Sequence, residues 1–355
     1  MPRSDFNGSW TALITPFRDD GSIDYEGLEK NVQFQVDQGI TGILAVGTTG
    51  ESPTLSNQEH IEVITKANKF AGGKCGILAG TGSNCTREAL AHCGHALESG
   101  VNKVLLVDCY YNGPSSLELR DEYYRAILDE YREIEVVIYV IPGRTGTAIS
   151  PVDIAVLAGE YDRVIALKEA TGDLSRMEEE RGLMPQMNIM SGDDDKTYEM
   201  MKKSSISAQG AISVVTNIAP KAVTEMVDAL RKGSSGEADT RALALAKKLK
   251  PLFSIVTVKA KSERTLPDGK KIVVEDRFRN PLATKTLMNA LGMPSGPSRQ
   301  PMGKINREGL AVVRNAVKEV FENSPEILEP IAQFYGVDLE ERINDDSYWK
   351  PLMYS

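Results

Sequence analysis

The sequence predicts a (β/α)8 barrel, the TIM-type architecture, followed by a helical C-terminal extension. Three observations carry that prediction. Apolar runs of strand character recur eight times, with helical segments between them. The runs are nearly continuous in hydrophobicity, as in strands buried on both faces of a parallel sheet. A doubly wound open sheet would carry a GxGxxG turn after an early strand, and none follows the first run.

Taken in order, the strand-like runs are Ala12–Thr15, Gly42–Val46, Gly76–Ala79, Lys103–Val107, Val136–Ile141, Val164–Lys168, Met187–Ser191 and Gly210–Val214. Helical periodicity marks Tyr25–Gln38, Asn57–Ala71, Arg87–Ser99, Ser116–Glu130, Val152–Gly159, Asp195–Lys203 and Pro220–Lys232. Past about Gly233 the alternation stops, and Ala238–Leu252, Asn280–Leu291, Arg307–Phe321 and Pro325–Phe334 read as helices. The turn signal Leu266-Pro267-Asp268-Gly269-Lys270, flanked by short β-prone pieces, predicts a small hairpin. From Leu339 to Ser355 no periodicity is evident. The reading gives two units: a barrel over 1–233 and a helical region over 234–355 with an insertion near 260–279.

Composition narrows the function. Against 41 Lys and Arg stand 50 Asp and Glu, a formal net charge of −9, and the pI is about 5.1. Such an acidic chain lacks the basic face that nucleic acid requires. No apolar run approaches the roughly 18 residues that span a bilayer. Residues Met1 to Asp5 are polar and hold no signal core. The four cysteines, Cys75, Cys85, Cys93 and Cys109, form no CxxC pair. They read as reduced thiols of a cytoplasmic protein.

In a barrel the chemistry sits where the strands end. Lys168 ends an apolar strand, where burial would lower its pKa and leave a nucleophilic amine able to form a Schiff base with a 2-oxo acid. Tyr139, in the fifth run, could relay protons. Gly47-Thr48-Thr49-Gly50-Glu51 offers close backbone approach and hydroxyls for a carboxylate. Tyr110-Tyr111-Asn112 follows the fourth run, and Arg144 follows the fifth with a guanidinium fork suited to a carboxylate. Taken singly, these also read as a solvated lysine, a core tyrosine, a plain turn and a loop cation. Their shared face gives them weight. His92 and His95 lie three apart with no matching third ligand, so they read as a helical face and no metal is expected. His60 lies on the helix after the second run, away from the strand tips.

Seven segments in order then resemble the dihydrodipicolinate synthase/N-acetylneuraminate lyase family of pyruvate-dependent class I aldolases. They are GTTGE at 47–51, AGTGSN at 79–84, YYNGPS at 110–115, IPGRTG at 141–146, ALKEATGD at 166–173, SGDD at 191–194 and GAISVVTN at 210–217. The resemblance, running from about Gly8 to about Phe321, implies Lys168 as the Schiff-base lysine. It implies Thr49, Tyr139 and Tyr111 as a proton relay, with Tyr111 supplied by a neighbouring subunit. Thr48 and Thr49 would hold pyruvate's carboxylate, Arg144 that of the second substrate, and Gly192 and Ile212 would also border the substrate. Asn84, Glu88, Tyr110 and His60 match an allosteric lysine pocket at a dimer interface. Departures are Val140 after the tyrosine, Asp108-Cys109 before the tyrosine pair, the insertion and the long tail.

What the resemblance implies is condensation of pyruvate with L-aspartate 4-semialdehyde to 4-hydroxy-tetrahydrodipicolinate, a step of lysine biosynthesis, without a cofactor and in a homotetramer built as a dimer of dimers. An aldolase or dehydratase acting on 2-oxo sugar acids or 4-hydroxy-2-oxo acids is the alternative enzyme. A catalytically idle binding paralogue is the non-enzymatic one, and the presence of all four chemical residues argues against it.

Overall fold

The computed structural model describes residues 3–233 and 236–354. Eight parallel strands close into a barrel in sequence order: β1 (Gly8–Ala12), β2 (Gly42–Ala45), β3 (Gly76–Gly80), β4 (Lys103–Val107), β5 (Glu135–Val140), β6 (Val164–Glu169), β7 (Asn188–Ser191) and β8 (Gly210–Ser213). Closure is made by β1 on β8, with Gly8 opposite Gly210. The predicted fold class is the observed one.

The first strand is displaced from its expected place. Ala12–Thr15 is the more apolar stretch, yet Gly8–Ala12 pairs with both β2 and β8. Leu13 keeps one last bond to β2, its N–H donating to the Leu44 carbonyl at 3.0 Å, after which the chain leaves the sheet and Thr15 Oγ1 donates to the Gly50 carbonyl at 2.7 Å. Trp10 shows why this end of the barrel is rich in glycine. A Cβ on Gly42 would sit 2.3 Å from the indole, so only glycine leaves room for the ring. Phe6 stacks on that ring at 4.4 Å between centroids. With Leu44, Leu78, Val137 and Met190, these side chains fill the barrel interior as a packed core.

Helices cover the outside. Tyr25–Asp37, Asn57–Ala71, Thr86–Glu98, Pro151–Glu160 and Pro220–Lys232 follow the expected spans closely. The expected helix over Ser116–Glu130 widens into a π-helical stretch at Leu119–Arg125. Leu174–Leu183 was not expected as a helix. Its sequence, LSRMEEERGL, buries only Met177 and Glu180 and shows no apolar stripe.

Beyond the barrel, helices Glu237–Ser254, Leu282–Ala290, Arg307–Asn323 and Glu329–Tyr335 share a core with Pro220–Lys232 and with Ile14 and Phe34. The boundary expected at 233/234 adjoins residues 234 and 235, which lie outside the described residues. The hairpin is larger than the sequence implied: β9 (Thr257–Thr265) and β10 (Lys271–Arg279) pair over nine residues each. Val258 and Ala260 anchor its base in the apolar core. In the tail, Leu339–Asn344 is helical, and Trp349, only 1% exposed, donates its indole N–H to the Arg342 carbonyl at 2.9 Å. Short turns around one buried aromatic have no period, which is why the sequence did not reveal them. Among the described residues, no helix is long and apolar enough to cross a membrane.

Candidate active site

Two adjoining cavities open at the C-terminal ends of the strands. One, about 210 Å3, is lined by Val46, Gly80, Leu105, Val107 and Tyr110. The other, about 290 Å3, holds Lys168, Asp193, Arg277 and Arg279. Thr48, Tyr139, Ile141 and Arg144 border both.

Lys168 reaches the second cavity because strand residues alternate sides, which directs Ala166, Lys168 and Ala170 to one face. It is 5% exposed and forms no ion pair among the described residues. Burial pulls its pKa down to about 8; Asp193 and Asp194 work against that, and Arg144 with it. The register sets Tyr139 of β5 directly opposite Lys168 of β6. Burial drives the Tyr139 phenol well above its ordinary pKa, while the Arg144 charge and a hydrogen bond with Thr48 hold it back.

The two threonines turn to different partners. Thr48 bonds Tyr139, whereas Thr49, expected in the relay, accepts at its Oγ1 from Asn280 Nδ2 at 2.9 Å. The Asn280 carbonyl in turn accepts from Arg144 Nη2 at 2.9 Å. Thus one residue at the foot of the hairpin ties the threonine loop to the arginine. Glu51 secures that loop from behind: buried with Lys285, it accepts from Lys285 Nζ at 2.6 Å and from the Arg299 backbone N–H at 2.9 Å.

On the β7 side, Gly192 leaves space for the lysine stem. A Cβ there would stand 2.8 Å from Ala170 Cβ, 3.0 Å from the Glu169 carbonyl and 3.2 Å from Lys168 Cε. Asp193 borders the cavity, its carboxyl raised to about 6 by burial. Asp194 is turned away, accepting from the Val214 and Val215 N–H groups at 2.9 and 3.1 Å and from Ser213. Ile212 lies in the barrel interior beneath, and the residue bordering the cavity here is Val214, just past the end of β8.

Tyr111 is not brought to Lys168 within one chain. It is 90% exposed, with φ at 82°, a left-handed conformation unusual outside glycine. Asp108, just before the tyrosine pair, accepts from Tyr124 Oη at 2.6 Å and from the Ile149 N–H at 3.2 Å; burial lifts it to about 7.

Of the residues matched to the allosteric pocket, Glu88 and Asn84 both accept hydrogen bonds from Ser83, and Glu88 and Ser83 act on the Tyr110 phenol. His60 lies deeper. Its Nε2 is 2.9 Å from the Gly80 carbonyl, its ring stacks on His92 at 4.1 Å, and burial pulls its pKa down to about 4. No cluster of His, Cys, Asp or Glu among the described residues could hold a metal ion.

Sequence reasoning missed Asn280, Asp193, Arg277 and Arg279. The alternating cations Arg277-Phe278-Arg279 on a β-prone segment were the available signal, but nothing local tells that they fold back over the barrel mouth.

A closed barrel that buries a lysine beside a tyrosine at its C-terminal mouth has the framework of a class I aldolase-type lyase. The family model for the dihydrodipicolinate synthetase family matches residues 5–320, and this chain belongs to that family. It is 36% identical over 310 residues to the 4-hydroxy-tetrahydrodipicolinate synthase of Methanococcus vannielii, covering 87% of this chain and 97% of that protein. To the same enzyme of Methanothrix thermoacetophila it is 36% identical over 320 residues, covering 89% and 97%. Among solved structures, the synthase of Methylacidiphilum fumariolicum SolV superposes with a TM-score of 0.79 at 30% identity, covering 93% of this chain and 100% of that one. Dihydrodipicolinate synthase from Aquifex aeolicus gives 0.78 at 34%, covering 91% and 100%.

Proposed function

We propose that this chain condenses pyruvate with L-aspartate 4-semialdehyde to 4-hydroxy-tetrahydrodipicolinate through a Schiff base on Lys168. The observation that carries the reading is the desolvated Lys168 amine facing Tyr139 across one strand pair. Near neutral pH a fraction of that amine is unprotonated and can add to the pyruvate ketone. Loss of water from the carbinolamine gives the imine, which draws electrons from the methyl carbon. A methyl proton then leaves to give the enamine. The enamine carbon attacks the aldehyde of the second substrate and forms the new C–C bond. That substrate's own amine attacks the imine carbon, and the Lys168 amine departs, so one water is lost overall.

Protons move through Tyr139, and its bond with Thr48 makes Thr48 the next relay member in place of Thr49. Thr49, braced by Asn280, positions pyruvate's carboxylate. Arg144 takes the carboxylate of the semialdehyde, and Gly192 keeps the amine's path open. Tyr111, exposed on a strained loop, completes the relay of a neighbouring subunit in a tetramer built from dimers. The acidic chain and its unpaired cysteines favour a cytoplasmic setting. The test is turnover of pyruvate with L-aspartate semialdehyde by the protein and by Arg144→Ala. A drop of about 10- to 100-fold in the variant's kcat/KM for the semialdehyde supports the reading. Equal turnover contradicts it and favours an aldolase of 4-hydroxy-2-oxo acids.

A further inference from the structure

One side-chain atom on the wall of the second cavity has no partner in the chain. Asn280 lines that cavity and is 8% exposed, yet its Oδ1 accepts no hydrogen bond among the described residues. Of the residues lining the cavity, Asn280 alone has a buried side-chain N or O left unpaired among the described residues. Its Nδ2 donates to Thr49 Oγ1 at 2.9 Å, and its backbone carbonyl accepts from Arg144 Nη2 at 2.9 Å. Nor can the side chain swing out to water. Asn280 sits between Arg279, the last residue of β10, and the helix Leu282–Ala290, which is buried at every position except Asn289.

A buried amide oxygen is costly to leave unpaired, so a ligand that displaces water from it must bring an N–H or O–H of its own. Ionised pyruvate has neither. L-aspartate 4-semialdehyde has one donor group, its α-ammonium. The surroundings of Oδ1 suit that group. Arg144, the residue for the semialdehyde's carboxylate, is bonded to Asn280 itself, and in an α-amino acid carboxylate and ammonium share one carbon. A head group docked on Arg144 therefore brings its ammonium to the Asn280 side chain. The other end of the same amide holds Thr49, the residue for pyruvate's carboxylate. The nitrogen that finally displaces Lys168 is thereby kept beside the carboxylate of pyruvate, next to the imine carbon it must reach.

We propose that Asn280 is a specificity determinant whose Oδ1 accepts a hydrogen bond from the α-amino group of the aldehyde substrate. The substrate class is then an α-amino acid semialdehyde, read at its head group by Arg144 and Asn280 together. This rests on the pyruvate-condensing reading above and deepens it.

The experiment loads the enzyme with one equivalent of pyruvate and adds L-aspartate semialdehyde or succinic semialdehyde, which lacks only the amino group. Borohydride quenching and mass spectrometry follow loss of the pyruvyl adduct on Lys168. The readout is the ratio of the two second-order rate constants below saturation, for wild type, Asn280→Ala, Asn280→Asp and Thr49→Val. Disturbance of Arg144 or of pyruvate's seat slows both aldehydes and cancels in the ratio. A wild-type ratio of about tenfold or more supports the proposal if it collapses toward one in Asn280→Ala. Asn280→Asp, which keeps an acceptor, holds the ratio at or above the wild-type value. Thr49→Val, which removes only the brace, leaves it standing. A wild-type ratio near one, or a ratio indifferent to Asn280→Ala, overturns the proposal. So does a fall in Asn280→Asp, which decides the matter should the alanine variant not fold. An adduct that L-aspartate semialdehyde converts without dependence on Asn280 sinks this proposal alone. No adduct, or one that the semialdehyde leaves unconverted, sinks the reading on which it rests.

Discussion

The nitrogen of Lys168 lies 4.1 Å from the centroid of the Tyr139 ring, on strands that place the two residues in register. The ring face favours the ammonium, and burial disfavours it more strongly, leaving a pKa of about 8. Below that pH the amine is protonated and cannot attack; above it the nucleophile is free. The initial rate of pyruvate adduct formation therefore rises with pH through a midpoint near 8. Asp193 supports the charged form, so Asp193→Asn moves that midpoint to lower pH. Stopped-time borohydride quenching across pH measures both, and a midpoint near an ordinary lysine's value in the parent contradicts the assignment.

Gly192→Ala tests the space around the lysine. The added methyl meets Ala170, the Glu169 carbonyl and Lys168 Cε, two of them at 3.0 Å or less. Overpacking of this kind costs about 1–3 kcal/mol of stability. Because the clash bears on Lys168, adduct formation slows by about tenfold or more, as one misplaced reacting group can cost. A variant with unaltered trapping kinetics shows that the lysine does not use this space.

The Glu51–Lys285 pair fixes the threonine loop to the C-terminal helices. Removing one partner of a buried pair strands the other charge, at about 3–5 kcal/mol. Glu51→Gln accordingly lowers the urea midpoint by a corresponding amount. It also weakens pyruvate binding, because Thr48 and Thr49 share the loop. A shift below about 1 kcal/mol would show that the Arg299 and backbone contacts hold the loop without the ion pair.

Tyr111 tests assembly by complementation. Tyr111→Phe and Lys168→Ala are each expected to be impaired as pure proteins. Refolded together, a Lys168-bearing chain receives Tyr111 from its partner. Random pairing in two-fold dimers then restores about a quarter of wild-type activity. Mixtures that stay as inactive as their parts show that Tyr111 does not act across chains.

Much of the barrel was legible because its strands are buried on both faces, and the run ending at Lys168 ends there in the structure within one residue. The first strand was misplaced because apolarity, not pairing, marked Ala12–Thr15. Leu174–Leu183 was missed since it buries a glutamate instead of a stripe. Within the site, Lys168, Tyr139, Thr48 and Arg144 were legible at strand tips and do converge. Asn280, Arg277 and Arg279 were not, because their contribution depends on a hairpin more than 100 residues downstream folding back over the mouth. Adjacent threonines in one loop mark a further limit: only the direction in which each hydroxyl points tells them apart, Thr48 toward Tyr139 and Thr49 toward Asn280.

The central claim is that Lys168 captures pyruvate covalently. The direct measurement is incubation with pyruvate and borohydride followed by peptide mass spectrometry. The account predicts a reduced pyruvyl adduct on the peptide bearing Lys168 and none in Lys168→Ala. An unmodified Lys168 peptide, or an adduct on another lysine, would contradict it.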